Sequence, residues 1–167
     1  MNDRLWYPQL DVYDCIRRFS ALIFAYPEPP GIERLYIADF YFANPPLLHR
    51  SRMSRATRQR FLALRIPQPQ TTFLAYPAPA LLFSKMEPIQ KEALRAMGGK
   101  GLISIPELQR GVARLTDVGQ ITLASKLTEM TGVGERDLVS FLTEDFATAS
   151  ETAPHRLRSN TGLRRPV

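Results

Sequence analysis

The sequence predicts a mainly α-helical chain with a small β-hairpin wing, a winged-helix-like architecture that the helices ahead of it allow to be tandem. Three observations lead there. Apolar residues recur at helical spacing from Cys15 onward. Ten of the 14 prolines fall between Pro27 and Pro88, which cuts the first half into short elements. Residues 87–130 then read as helix, glycine turn, two short extended stretches and helix, in that order. At 167 residues, 44% hydrophobic and 23% charged, the chain can bury a core and is too ordinary in composition for collagen, coiled coil or wholesale disorder.

The first helix begins at Asp11, a good N-cap, with Asp14 at N3 where a carboxylate suits the helix dipole. Cys15, Phe19, Leu22 and Tyr26 line one face, and Pro27-Glu28-Pro29-Pro30-Gly31 ends it. Ile32 to Ala43 is predicted helical, although its aromatic density also fits a strand, and Asn44-Pro45-Pro46 stops it. A third helix runs Arg55 to Leu64 from Ser51 or Ser54 as cap. Ala80 to Met86 reads as a short helix or turn, and Pro88, at a first helical position, opens another helix ending at Gly98-Gly99. Leu102–Ile105 and Val112–Thr116 are predicted strands of the wing, and a helix restarts at Thr116 or Asp117. A last helix carries Leu138, Phe141, Leu142 and Phe146 on its apolar face. The expected organisation is an N-terminal helical region over 1–86 with an arginine-rich segment, a winged-helix-like unit plus final helix over 87–149, and a basic, disordered tail over 150–167.

Net charge is +6, with a pI near 9.8, which points to an anionic partner. Half of the excess belongs to residues 151–167, where Arg156, Arg158, Arg164 and Arg165 face only Glu151. The N-terminus lacks an apolar signal core, and the longest uncharged stretch, Ile66 to Ser84, is broken by four prolines. A soluble cytoplasmic protein without a membrane partner is expected. Cys15, the lone cysteine, is predicted to be a buried structural thiol.

A search for chemistry returns nothing. One Cys with His49 and His155 cannot supply a common zinc spacing. Gly98-Gly99-Lys100-Gly101 lacks the spacing of a phosphate loop and the Ser or Thr after its Lys. No acid stands two residues before any of the four lysines, as a metal-dependent nuclease commonly requires, and no nucleophile elbow or dinucleotide loop occurs. Neither catalytic residues nor a cofactor or metal are therefore expected. The binding signal is stronger. Between His49 and Arg65 there are six arginines and no acid; Arg50, Arg52, Arg55, Arg58 and Arg60 are the candidate contacts to DNA or to an acidic protein. Arg52, Arg55 and Arg58 would form a positive helical ridge anchored by Phe61, Leu62 and Ile66. The helix before the wing has mixed charge, which disfavours reading of bases and suits a protein partner. Gln90, Lys91, Arg95, Arg110 and Arg114 are its candidate partner contacts.

Four segments together carry a family likeness: Leu5-Trp6-Tyr7-Pro8, Asp11 to Arg18, Ile37-Ala38-Asp39-Phe40-Tyr41-Phe42-Ala43-Asn44-Pro45, and Phe83-Ser84-Lys85-Met86-Glu87-Pro88-Ile89-Gln90. They resemble the small middle component of bacterial ABC-three-component systems, which include Lamassu-type antiphage defence. The likeness spans about Leu5 to Phe146. It implies a non-catalytic adapter joining an SMC- or Rad50-like ABC ATPase to an effector nuclease, with the arginine segment facing double-stranded DNA near the ATPase heads. An autonomous winged-helix transcriptional regulator, dimeric on an operator, is the alternative expectation.

Overall fold

Asp11 starts the first helix as expected: its side chain accepts the Asp14 N–H at 3.0 Å, and α1 spans Val12–Ala25. In this computed structural model, which describes residues 7–71, 77–146 and 154–163, α1 is the hub. It packs on α2 (Ile32–Ala43), α4 (Pro79–Gly99), α6 (Asp117–Met130) and α7 (Val133–Ser140). The aromatic second segment is helix, and every residue from Leu35 to Phe42 is buried. Its mixed signal follows from burial on all sides, which erases the polar face that periodicity relies on.

A polar joint lies inside this apolar packing. Arg18 and Asp39 are 2% and 0% exposed, and Arg18 Nε donates to Asp39 Oδ1 at 2.6 Å while Nη2 reaches Oδ2 at 3.3 Å. Arg18 Nη1 also pairs with Asp14 and donates to Pro8 O at 3.2 Å. Gln90 of α4 donates to both Asp39 Oδ2 (2.9 Å) and Tyr36 O (3.1 Å), so three helices share one carboxylate. Burial alone would lower the Arg18 pKa, but the Asp39 charge and hydrogen bond more than reverse it, and the net shift is upward. Arg17, one residue earlier, donates to Met130 O at 2.8 Å and pairs with Glu135 at 3.1 Å, tying α1 to the end of α6 and the start of α7.

A chain of ring contacts runs from α4 across α2 to α3 (Arg55–Ala63). Phe83 meets Phe40 edge-on, Phe40 meets Tyr41, and Tyr41 meets Phe146. Phe146 leads through Phe141 to Phe61 and His49. Phe141 and Phe146 both face inward because Phe141–Asp145 is π-helical: the Phe146 N–H donates to Phe141 O, five residues back.

The expected wing is absent: no strand occurs among the described residues, and pairing there is limited to the single bridges Ile103↔Leu115 and Gly31↔Val112. The winged-helix reading is therefore corrected to an all-helical fold. The cause is local. Ser104 accepts the Glu107 N–H and caps a short helix, α5 (Ile105–Gln109), so the chain leaves extended geometry one residue after Ile103. Pro106 has no N–H to continue a ladder. Val112–Leu115 is held from two sides instead, with Ala113 N donating to Pro30 O at 2.9 Å and Ser104 N to Arg114 O at 2.9 Å.

Two further differences concern boundaries. Ala80–Met86 and the helix at Pro88 are one helix, Pro79–Gly99, with Pro79 in its first turn and Pro88 inside it. It crosses the boundary expected at 86/87. The Gly98-Gly99-Lys100-Gly101 turn closes it: Leu102 N donates to Met97 O at 3.0 Å, and Gly101 takes φ +71°, as that motif requires. In the tail, Pro154–Thr161 forms helix α8, with Leu157 and Leu163 buried and Arg158 paired with Glu33 of α2, in place of the expected disorder; 147–153 and 164–167 lie outside the described residues. No helix among the described residues is long and apolar enough to cross a membrane.

Candidate functional site

The arginine segment begins as the 3-10 turn Pro45–Arg50, whose Leu47 and Leu48 insert into the core. His49 packs edge-on against Phe61, and its Nε2 bonds Ile66 O at 2.8 Å; a carbonyl only accepts, so Nε2 carries the proton. Ser51 Oγ donates back to Leu48 O at 2.7 Å. Ser54, rather than Ser51, caps α3 by accepting the Thr57 N–H at 3.1 Å. Thr57 and Phe61 are buried beneath, so the segment is a rigid shoulder on the ring chain.

On this shoulder the five candidate arginines divide. Arg58 turns inward: Nη2 donates to Ser51 O at 2.9 Å, Nη1 to His49 O at 3.3 Å, and its guanidinium stands 5.9 Å from the Phe61 ring centre. It is a clamp for the turn. Arg60 pairs with Asp145 of the π-helical segment at 2.7 Å. Arg50, Arg52 and Arg55 are exposed and have no ion pair among the described residues. The expected ridge of Arg52, Arg55 and Arg58 does not form, because Arg52 precedes the helix and Arg58 points back over its start. What remains exposed is Arg50 at the end of the 3-10 turn, Arg52 in the link that follows, and Arg55 at the first position of α3, whose first turn holds no acid. Arg55 there opposes the helix dipole, so an anion beside it relieves that repulsion.

The second set of candidates divides as well. Gln90 is 0% exposed and belongs to the Asp39 joint, so it is not a surface contact. Lys91 pairs with Glu87 at 3.1 Å, Arg95 with Glu92 at 2.8 Å, and Glu107 receives Arg110 at 3.2 Å and Arg114 at 3.8 Å. These four are surface residues with an acid in reach. Cys15 is fully buried, and burial, with the Asp39 charge beside it, pushes its thiol pKa up. Sequence reasoning missed Arg17, whose pairing with Glu135 spans 118 positions and leaves no local signal.

The family model for the ABC-three-component system middle component 5 matches residues 4–165. The chain belongs to this family. The match covers the tail helix α8 as well as the region that carried the likeness in sequence, so the middle component includes the basic terminal stretch up to residue 165. As a middle component it works with partner proteins in a three-component assembly. No curated protein and no solved structure matched the chain.

Proposed function

We propose that this middle component is a non-catalytic connecting subunit: it holds an SMC- or Rad50-like ABC ATPase to a separate effector nuclease in bacterial antiphage or anti-plasmid defence. Arg50, Arg52 and Arg55 then contact the polyanion that such an assembly engages, the phosphate backbone of double-stranded DNA, without base selection. The observation that carries this reading is the run of three exposed arginines, Arg50, Arg52 and Arg55, leading without an acid into α3, beside the Arg58 clamp and the Phe61 anchor. Guanidinium forks fit phosphate oxygens, and a rigid mount lowers the entropy lost on binding. The family assignment supports the connecting role, and the use of Arg18, Asp39 and Cys15 in a buried joint supports a structural function for the core's ionisable groups.

The test is Arg52→Glu together with Arg55→Glu. Both side chains are exposed, so folding is retained, while retention on DNA or assembly with the partner components falls. The loss on DNA is expected to shrink as salt rises, since phosphate contacts release counterions. Unchanged binding in both assays would refute a contact role for the triad.

A further inference from the structure

A groove of about 590 Å³ runs between the end of α3 and the start of α7. Phe42, Leu64, Pro67 and Leu138 give it apolar walls, and its charged lining residues are Arg65 from the α3 side with Glu135 and Asp137 from α7. Glu135 is already matched: Arg17 pairs with it at 3.1 Å, and the same guanidinium lies 5.7 Å from the Phe42 ring centre. Arg65 and Asp137 are exposed, and neither side chain has an ion pair or hydrogen bond among the described residues, to the other or to a third group. An uncompensated cation and an uncompensated acid therefore border one apolar space.

The backbone at Arg65 is a second, independent observation. α3 ends at Ala63, and Arg65 follows the Leu64 cap, with its N–H donating to Leu62 O at 3.1 Å and its φ at +53°. Among the described residues it is the one residue other than glycine in the left-handed region, at a position that glycine usually fills. A side chain kept against that backbone preference, with no partner inside its own chain, points to a use outside the chain.

We propose that this groove docks a segment of a partner subunit whose carboxylate meets Arg65 and whose basic side chain meets Asp137, with apolar side chains seated between the two. The charges select this occupant over nucleic acid: a phosphate backbone offers anions alone, and Asp137 would repel it. The volume suits a few anchoring side chains in an apolar site with a small number of polar groups. The inference rests on the connecting-subunit reading, and it adds a protein contact distinct from Arg50, Arg52 and Arg55.

The experiment uses the chain co-expressed with the other two components of its system. Arg65→Gly removes the guanidinium and relieves the backbone, so the melting temperature of the isolated chain is expected to rise by about 1–3 °C while recovery of the complex falls about tenfold. Asp137→Lys is expected to lower recovery by a similar factor, with the melting temperature held within about 2 °C and DNA retention unchanged for both variants. A photo-crosslinking benzoylphenylalanine in place of Pro67 is expected to label a partner peptide that carries an acid and a base around apolar residues. A less stable Arg65→Gly chain would give Arg65 a structural role and overturn the proposal. Full assembly of both variants, or labelling of DNA or a second copy of this chain, would overturn it too while leaving the connecting role standing. Failure of the wild-type chain to assemble would instead remove the connecting role and this inference with it.

Discussion

Replacing Asp39 by Asn tests the packing account at its most committed point. The carboxylate accepts from Arg18 Nε and Nη2, from Gln90 Nε2, and from Cys15 Sγ at 3.8 Å. An amide offers one acceptor and turns an NH₂ group toward donors, and it leaves the guanidinium of Arg18, 2% exposed, with the Asp14 carboxylate as its one counter-ion beside the Pro8 carbonyl. Breaking a buried pair in this way costs ~3–5 kcal/mol, a large share of the ~5–15 kcal/mol that stabilises a typical domain. With a urea slope of ~2 kcal/mol per molar, the unfolding midpoint falls by ~1.5–2.5 M. The partner control is Arg18→Met with Asp39→Leu, which removes both charges and is expected to recover most of the loss, because no unpaired ion stays behind. The measurement is urea unfolding followed by far-UV circular dichroism. A midpoint for Asp39→Asn within ~0.5 M of wild type would refute the reasoning. So would a double variant as unstable as the two single losses added together, since that would mean the residues are not coupled.

Three other outcomes follow from separate features. Gly119→Ala places a Cβ 2.0 Å from the Leu102 carbonyl oxygen, so it is expected to lower stability by ~2 kcal/mol or more even though alanine favours helix by ~1 kcal/mol; an unchanged or raised melting temperature would contradict the close approach. Truncation after Ser150 removes the buried Leu157 and Leu163 and the Arg158–Glu33 pair, and is expected to cost ~2–4 kcal/mol in urea unfolding, whereas an unmoved midpoint would show that α8 adds nothing. Alkali should destabilise the fold: burial raises Cys15 above its ordinary 9.0 and raises Tyr36 from 10.0 to about 12. Both groups are neutral when protonated and hold the proton more tightly in the folded state, so their contribution is complete below pH ~9 and is lost as pH rises through the folded values; stability flat or rising from pH ~8 to ~11 would refute it.

The features legible in the sequence were those decided over three or four residues. Asp11, Ser54 and Thr116 each accept the N–H three residues on, and each opens the helix expected there. The misreadings share a different physics. Pro88 has the look of a helix start, yet the tertiary packing of Met86, Gln90 and Leu94 carries α4 through it. Ile103 and Leu115 pattern as strands, but the Ser104 cap and Pro106 convert the chain to helix before a second bridge can form beside their own. Gln90 reads as a surface polar residue, and only the fold brings Asp39 and Tyr36 to its amide. The arginine cluster was visible as composition. Its division into a clamp, an ion pair and an exposed triad depends on His49, Ser51 and Asp145 folding back toward it.

The central claim is that this chain connects the other members of its three-component system. Co-expression with both, followed by affinity purification on a tag carried by this chain and size-exclusion chromatography at low salt, tests it most directly. The account predicts one co-eluting species containing all three chains, weakened when Arg52 and Arg55 are both changed to Glu. A middle component that elutes alone as a stable monomer, with neither partner in its fractions, would contradict it.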